Sequence, residues 1–159
     1  MTLPKHAHAS AFSLATVEAF TLKALRETDE ENMRLAHVAL WTRDITTAAE
    51  FWHKYFNAEV GPLYHSDRRP GFRSCFIRLT PDSLQIELMT GPWVADKAAD
   101  ECLGWDHIAV SLGDADAVDA FAERCAANGI LLSGPRRTGD GFYEAVIVAP
   151  DGTRVEITS

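Results

Sequence analysis

Apolar residues alternate with polar or small residues in several short runs of the chain. RLAHVALW, LQIELM, WDHIAVS and RVEIT each place aliphatic residues at every second position. Because successive side chains of a strand point to opposite faces, each run predicts a β-strand with one aliphatic face. Two other segments repeat apolar residues every three to four positions, which predicts amphipathic helices from Asp44 to about Tyr55 and from Asp114 to Asn128.

The predicted elements follow the same order twice. Residues 33–90 and residues 104–159 each begin with a strand and a helix and continue with three more strands, and residues 91–103 link them. The predicted strands are 34–41, 58–64, 72–79 and 84–89 in the first unit and 105–112, 130–132, 142–149 and 153–158 in the second. A glycine-rich loop is expected at 133–141. The sequence therefore predicts an α+β fold built from two tandem βαβββ modules.

Residues 1–32 precede the first unit and form an N-terminal extension. Apolar residues fall mostly on one face between Ser13 and Glu27, and this predicts one helix. We expect that helix to dock on the body of the protein or on a partner subunit.

Two histidines and two glutamates occupy equivalent positions in the two units. His37 and His107 lie in the first strand of each unit, and Glu87 and Glu156 lie in the last strand. A lone histidine in a strand is most often an ordinary core or surface residue. A glutamate within an apolar strand is rarer, because burying an unpaired carboxylate is costly. The recurrence of the whole set favours a site for a divalent first-row metal ion.

The surroundings of these four residues predict an open sheet face. Each candidate ligand shares its strand face with small, aromatic or polar neighbours, whereas the opposite face is aliphatic. A sheet that is covered by a helix on one side and lines a pocket on the other would show this pattern. Trp41, Met89 and Trp105 would then be either pocket wall or core, and the pattern does not separate the two.

Composition narrows the classes of function. The 159 residues suffice for one domain or for two small halves that share a core. A net charge of −8 argues against a nucleic-acid or anionic-membrane surface, and no apolar run is long enough to span a bilayer. The N-terminus lacks a signal-peptide pattern, and three scattered cysteines fit free thiols in a reducing cytosol. We therefore expect a cytoplasmic protein.

The doubled unit and its motifs resemble the vicinal oxygen chelate superfamily, and glyoxalase I (lactoylglutathione lyase) in particular. The resemblance covers roughly residues 34–159 and rests on AHVALWTRD, FRSCFIRLTPDSLQIELM, DHIAVSL and GFYEAVIVAPDGTRVEIT. It implies the glyoxalase/dihydroxybiphenyl dioxygenase-like fold, with curved mixed sheets around a metal site. It puts His37, Glu87, His107 and Glu156 at the four metal positions of the family. The complete set favours glyoxalase I, because the fosfomycin-resistance and extradiol dioxygenase branches use three ligands.

The resemblance also implies a reaction. One divalent ion, Ni, Co, Zn, Mn or Fe, would support the isomerisation of an α-oxoaldehyde hemithioacetal or a related hydroxy-carbonyl through a metal-bound enediolate. Glu156 is the first candidate for the general base, and Glu87 is its pseudo-symmetric counterpart. Glu144 could face the same site, but we favour an exposed charge on a hairpin.

Several alternatives stay open at this point. Bacterial glyoxalase I holds glutathione with an Arg four residues after the first His and an Asn four residues after the first Glu. Trp41 and Gly91 stand at those positions here, which puts glutathione in doubt. An epimerase of the superfamily, an Fe(II) dioxygenase and a non-catalytic protein that binds a drug or metabolite are the other candidates. The resemblance favours a homodimer with shared sites, although the linker is long enough for a site within one chain.

Overall fold

The computed structural model describes residues 35–96, 104–139 and 141–159. The predicted N-terminal helix at 13–27 and most of the 91–103 linker lie outside these residues. The elements in chain order are β1 (His37–Trp41), α1 (Ile45–Phe56), β2 (Glu59–Val60), β3 (Tyr64–His65), β4 (Arg73–Arg78), β5 (Gln85–Thr90), β6 (His107–Ser111), α2 (Ala115–Ala127), β7 (Leu131–Arg137), β8 (Tyr143–Val148) and β9 (Arg154–Thr158).

The strands form two separate mixed sheets, one in each predicted module. The first sheet has the order β1-β5-β4-β2, with β3 also paired to β4, and the second has the order β6-β9-β8-β7. The first strand of each module is parallel to the last, and the remaining pairs are antiparallel. The predicted α+β fold of two βαβββ modules is confirmed.

The helix ends follow from single residues. The carboxylate of Asp44 accepts hydrogen bonds from the backbone N–H groups of Thr46 and Thr47, which caps the start of α1. Asn57 ends α1 in the left-handed conformation, with φ of 52°. Asp114 caps α2 in the same way through the N–H group of Ala117. Both helices therefore begin where the sequence predicts.

Each helix covers the aliphatic face of its own sheet. The central strands contribute fully buried side chains such as Leu88 and Ile157, and the helices contribute Trp52 and Val118. The two modules meet at the helices, where the rings of Phe56 and Phe121 lie 5.1 Å apart. Neither helix of the described chain is long and apolar enough to cross a membrane.

The structure corrects the sequence prediction in two places. The strand expected at 58–64 is two short strands. Gly61 still donates a hydrogen bond to the carbonyl of Phe76, but Pro62 has no N–H group to continue the ladder. The glycine-rich loop expected at 133–141 is wrong for its first half, since β7 continues to Arg137. The pairing of β7 with β8 shifts register near Gly134 and Pro135. This irregular pairing is tolerated because β7 is an edge strand.

Candidate metal centre

The first module brings His37 and Glu87 together. Their strands run parallel, and the register sets Ala39 opposite Glu87, so that both side chains leave the same face. His37 Nε2 lies 3.7 Å from Glu87 Oε2. The His37 side chain is 44% exposed and the Glu87 side chain 18%, so the imidazole is accessible while the carboxylate is largely covered.

The second module repeats this geometry with His107 and Glu156. Ala109 lies opposite Glu156 in the parallel pair, and His107 Nε2 is 3.6 Å from Glu156 Oε2. Two ligands at right angles, each about 2.1 Å from an ion, lie about 3 Å apart, so small side-chain rotations would bring either pair onto one metal. Each module thus places one nitrogen donor beside one oxygen donor, and both are donor types that divalent first-row ions accept.

The two His–Glu pairs do not meet within the chain. Among residues 35–96, 104–139 and 141–159, no three His, Cys, Asp or Glu side chains are grouped closely enough to hold a metal ion. Each pair lies on the open face of its own sheet, which we define as the face opposite the helix. We call each His–Glu pair with its surroundings a candidate half-site.

Among the described residues, a second carboxylate supports the histidine of the second half-site, and none besides Glu87 pairs with the histidine of the first. Asp106 Oδ2 lies 2.9 Å from His107 Nδ1, and Arg154 Nη1 donates to Asp106 Oδ1 at 2.6 Å. The hydrogen bond from His107, followed by that from Arg154, lowers the pKa of the Asp106 carboxyl. A carboxylate on Nδ1 orients the ring with Nε2 toward Glu156. Sequence reasoning missed Asp106, although its place directly before His107 was the available signal.

Glu144 is not the exposed hairpin charge that the sequence suggested. It is 7% exposed, and it accepts a 2.7 Å hydrogen bond from Arg136 Nη2. The pairing of β8 with β9 sets Glu144 opposite Thr158, on the open face and diagonally adjacent to Glu156. Arg136 reaches this position because β7 extends beyond the predicted strand. Glu144 therefore belongs to the surroundings of the second half-site.

Glu144 also alters the acidity of Glu156. Burial raises the pKa of the Glu156 carboxyl, and the charge of Glu144 and a hydrogen bond between the two side chains raise that pKa further. His107 and Arg136 act in the opposite direction with smaller effect. In the first module Ser74 is the counterpart of Glu144, because it lies opposite Met89 as Glu144 lies opposite Thr158. The two half-sites share a His–Glu pair but differ in the residues that surround the glutamate.

The remaining sequence candidates divide between the open face and the core. Trp41 is 43% exposed and Trp105 is 76% exposed, so neither is a core residue. Cys75 and Cys125 are buried on the helix side. Burial raises the pKa of both thiols, that of Cys125 to about 11, which makes them poor nucleophiles.

Comparisons with known proteins agree with this architecture. The family described as the Glyoxalase/Bleomycin resistance protein/Dioxygenase superfamily matches residues 34–157. A glyoxylase/bleomycin resistance protein/dioxygenase domain from Frankia sp. EAN1pec has a similar fold, with 17% identity, a TM-score of 0.67 and coverage of 79% of this chain and 96% of that chain. No curated protein matches the chain.

Two glyoxalase I structures are also similar in fold. That of Zea mays has 19% identity and a TM-score of 0.65, and the match covers 79% of this chain but only 44% of the maize chain. The trypanothione-dependent glyoxalase I of Leishmania major has 21% identity and a TM-score of 0.63, with coverage of 80% of this chain and 87% of that chain. At these identities the likeness concerns the fold.

Proposed function

The chain belongs to the glyoxalase/bleomycin resistance protein/dioxygenase superfamily, and from this premise we propose that it is a metal-dependent, glyoxalase I-like lyase or isomerase. Its substrate would be an α-oxoaldehyde hemithioacetal or a related hydroxy-carbonyl compound. The observation that carries the proposal is the matched geometry of the two His–Glu pairs, at 3.7 Å and 3.6 Å on equivalent strands. Such duplication supports two halves of one binding site.

We further propose that the complete site forms across a homodimer. His37 and Glu87 of one subunit would face His107 and Glu156 of the partner subunit, and the two-fold symmetry would create two identical sites. The separation of the pairs within the chain supports this assembly. So do the outer edges of β1 and β6, which no strand of the described residues covers.

His37, Glu87, His107 and Glu156 would hold a divalent ion, and that ion would supply Lewis-acid stabilisation of the negative charge that develops beside the carbonyl. Glu156 is the proposed base, which takes the proton from the carbon beside the carbonyl and returns it to the neighbouring carbon. Its position supports this role, because Glu156 lies on the open face beside His107. Asp106 and Arg154 hold His107 in place, and Glu87 is the pseudo-symmetric alternative to Glu156.

The test combines metal content with isotope incorporation. Purified protein loaded in turn with Ni, Co, Zn, Mn and Fe is assayed with α-oxoaldehydes, with and without glutathione, in deuterated water. The proposal predicts turnover that stops on chelation and places solvent deuterium on the former carbonyl carbon, which receives the proton taken from its neighbour. Consumption of O₂ would indicate a dioxygenase instead. Tight binding of a metabolite without turnover, unaffected by chelation, would indicate a binding protein.

A further inference from the structure

Three aromatic side chains surround one arginine at the end of the first sheet, and a fourth adjoins one of them. The Arg69 Cζ atom lies 3.9 Å from the ring centroid of Trp93, 5.6 Å from that of Trp41 and 5.7 Å from that of Phe72. The ring of Tyr64 adjoins that of Phe72 at 6.5 Å. We call these five residues the arginine–aromatic cluster. Trp41, Tyr64 and Trp93 are each at least 40% exposed, which is unusual for a group of large aromatic residues.

The cluster lies on the same open face as the first half-site. Trp41 follows His37 by four residues along β1, so both side chains point to the same side. Four residues of strand span about 13 Å at about 3.3 Å per residue. Met89, opposite Trp41, lies between the cluster and Glu87. A ligand held at His37 and Glu87 could therefore extend along the face to the cluster.

Two glycines make room for the cluster. A Cβ atom at position 91 would lie 2.5 Å from the Trp93 indole, so Gly91 lets the ring rest directly against the backbone. A Cβ atom at position 71 would lie 2.8 Å from Pro92, and Gly71 also has a φ of 87°. The absence of side chains here is thus a structural requirement of the aromatic surface.

Two other arginines of the first module have carboxylate partners, which Arg69 lacks among the described residues. Arg43 pairs with Asp96 at 2.8 Å, and Arg78 pairs with Glu59 at 3.4 Å. Within the described ranges no carboxylate lies within ion-pair distance of Arg69. A guanidinium that stacks on an indole keeps the N–H groups at its edge available, and these groups match a carboxylate in a bidentate manner.

We propose that the arginine–aromatic cluster is a second recognition subsite, which binds a planar aromatic group that carries a carboxylate or a similar anion. The rings provide a stacking surface, and Arg69 provides the charge. If the proposed function holds, this group is the end of the substrate remote from the reacting carbons. Trp41 and Gly91 stand where bacterial glyoxalase I has residues that hold glutathione. In this protein an aromatic acid would take the place of that peptide.

The experiment measures binding of three simple probes to the full chain by calorimetry. 2-Naphthoate has both the ring and the charge, 2-naphthalenemethanol has the ring alone, and cyclohexanecarboxylate has the charge alone. We expect 2-naphthoate to bind at least about tenfold more tightly than either of the others, which corresponds to about 1.4 kcal/mol. We expect the same affinity with and without bound metal, since the cluster contains no proposed ligand.

Single substitutions test whether the probes bind at the arginine–aromatic cluster. Arg69→Gln should weaken 2-naphthoate about tenfold and leave the neutral probe unchanged, whereas Trp93→Leu and Gly91→Ala should weaken both. Arg68→Gln is the control for charge in the same loop, and Gly134→Ala is the control for an added methyl group, because nothing lies within 4 Å of that position. Neither control should alter binding.

Three results would overturn the proposal: no binding of 2-naphthoate, equal effects of Arg69→Gln and Arg68→Gln, or variants that change only the mass of the assembly. The last result would assign the cluster to a subunit contact. Binding that depends on Arg69 in a protein that takes up no metal would uphold the subsite while contradicting the proposed function. The two claims therefore fail separately.

Discussion

At the scale of single residues, the two half-sites differ in what adjoins the glutamate. Glu156 has Glu144 beside it, and Arg136 balances part of that negative charge. Glu87 has Ser74 in the equivalent place. A carboxylate next to a second carboxylate in a partly buried position resists ionisation. This asymmetry has consequences for the stability of the metal-free protein.

The first prediction concerns Glu156→Gln in the metal-free protein. The pKa of Glu156 in the folded protein is raised above the usual glutamate value of 4.5. Protonated Glu156 therefore contributes its full stabilisation to the free energy of unfolding below pH 4.5, and this stabilisation is lost as the pH rises through the folded pKa. The variant cannot ionise, so it should gain stability relative to wild type at pH 7.5 and lose that advantage near pH 4.5. Urea titration of both proteins at both pH values measures this difference in the free energy of unfolding. A gain of equal size in the exposed control Glu123→Gln would refute the account.

The second prediction concerns Asp106, which orients His107 from behind. Asp106→Ala should weaken metal binding by about 10- to 100-fold, because supporting carboxylates typically contribute that much to affinity. Asp96→Ala is the matched control, since Asp96 also pairs with an arginine but lies away from both half-sites. Competition with a chromogenic chelator gives both affinities. Identical losses of metal affinity in the two variants would show that Asp106 does not position His107.

Residue identity alone predicted part of this site. His37, His107 and the two glutamates stand out because they recur in register within apolar strands. Glu144 was misjudged, because the alternation of YEAVIV shows which face a side chain takes but not what covers it. Arg136 covers Glu144. The position of Arg136 depends on the irregular register of β7, which no local sequence pattern reveals.

At the scale of elements, the side chains of β5 alternate strictly between the core and the open face. Leu88 is fully buried against the helix, whereas Glu87 and Met89 occupy the open face. One face of the strand therefore contributes the core and the other contributes the site. A shift of one residue in the pairing with β1 would exchange them.

The third prediction tests this division of faces. Leu88→Ala should lower the free energy of unfolding by about 2–5 kcal/mol, because it leaves a cavity in a packed core. Met89→Ala is the neighbouring control and should cost much less, since Met89 is only half-buried on the open face. Urea titration of both variants measures the difference. Similar losses would show that the assigned faces are wrong.

Elements with strong local patterns were predicted well, and elements set by tertiary pairing were not. The helices start at Asp44 and Asp114 as expected, because their caps are encoded within one turn. The extension of β7 past Pro135 was missed, because glycine and proline usually signal a loop and only the partner strand β8 holds them in a sheet. Pairing between distant segments is the information that periodicity lacks.

At the scale of the whole molecule, the question is how two half-sites become one site. The modules touch through their helices, at Phe56 and Phe121, and through a hydrogen bond from Arg124 to the carbonyl of Tyr55. Their open faces carry the two His–Glu pairs, which do not meet among the described residues. The sequence could not settle this point, because the 91–103 linker has enough reach for either arrangement.

The most direct test of the shared metal site is the metal content of a hybrid dimer. His37→Ala and His107→Ala each remove one ligand from both sites of a homodimer, so both parents should bind metal poorly. In a hybrid of the two chains, one site loses both histidines and the other keeps all four ligands. We therefore predict one tightly bound ion per hybrid dimer, measured by elemental analysis after subunit exchange is verified with two affinity tags. A verified hybrid that binds no more metal than its parents, or a protein that is monomeric by light scattering, would contradict a site shared between subunits.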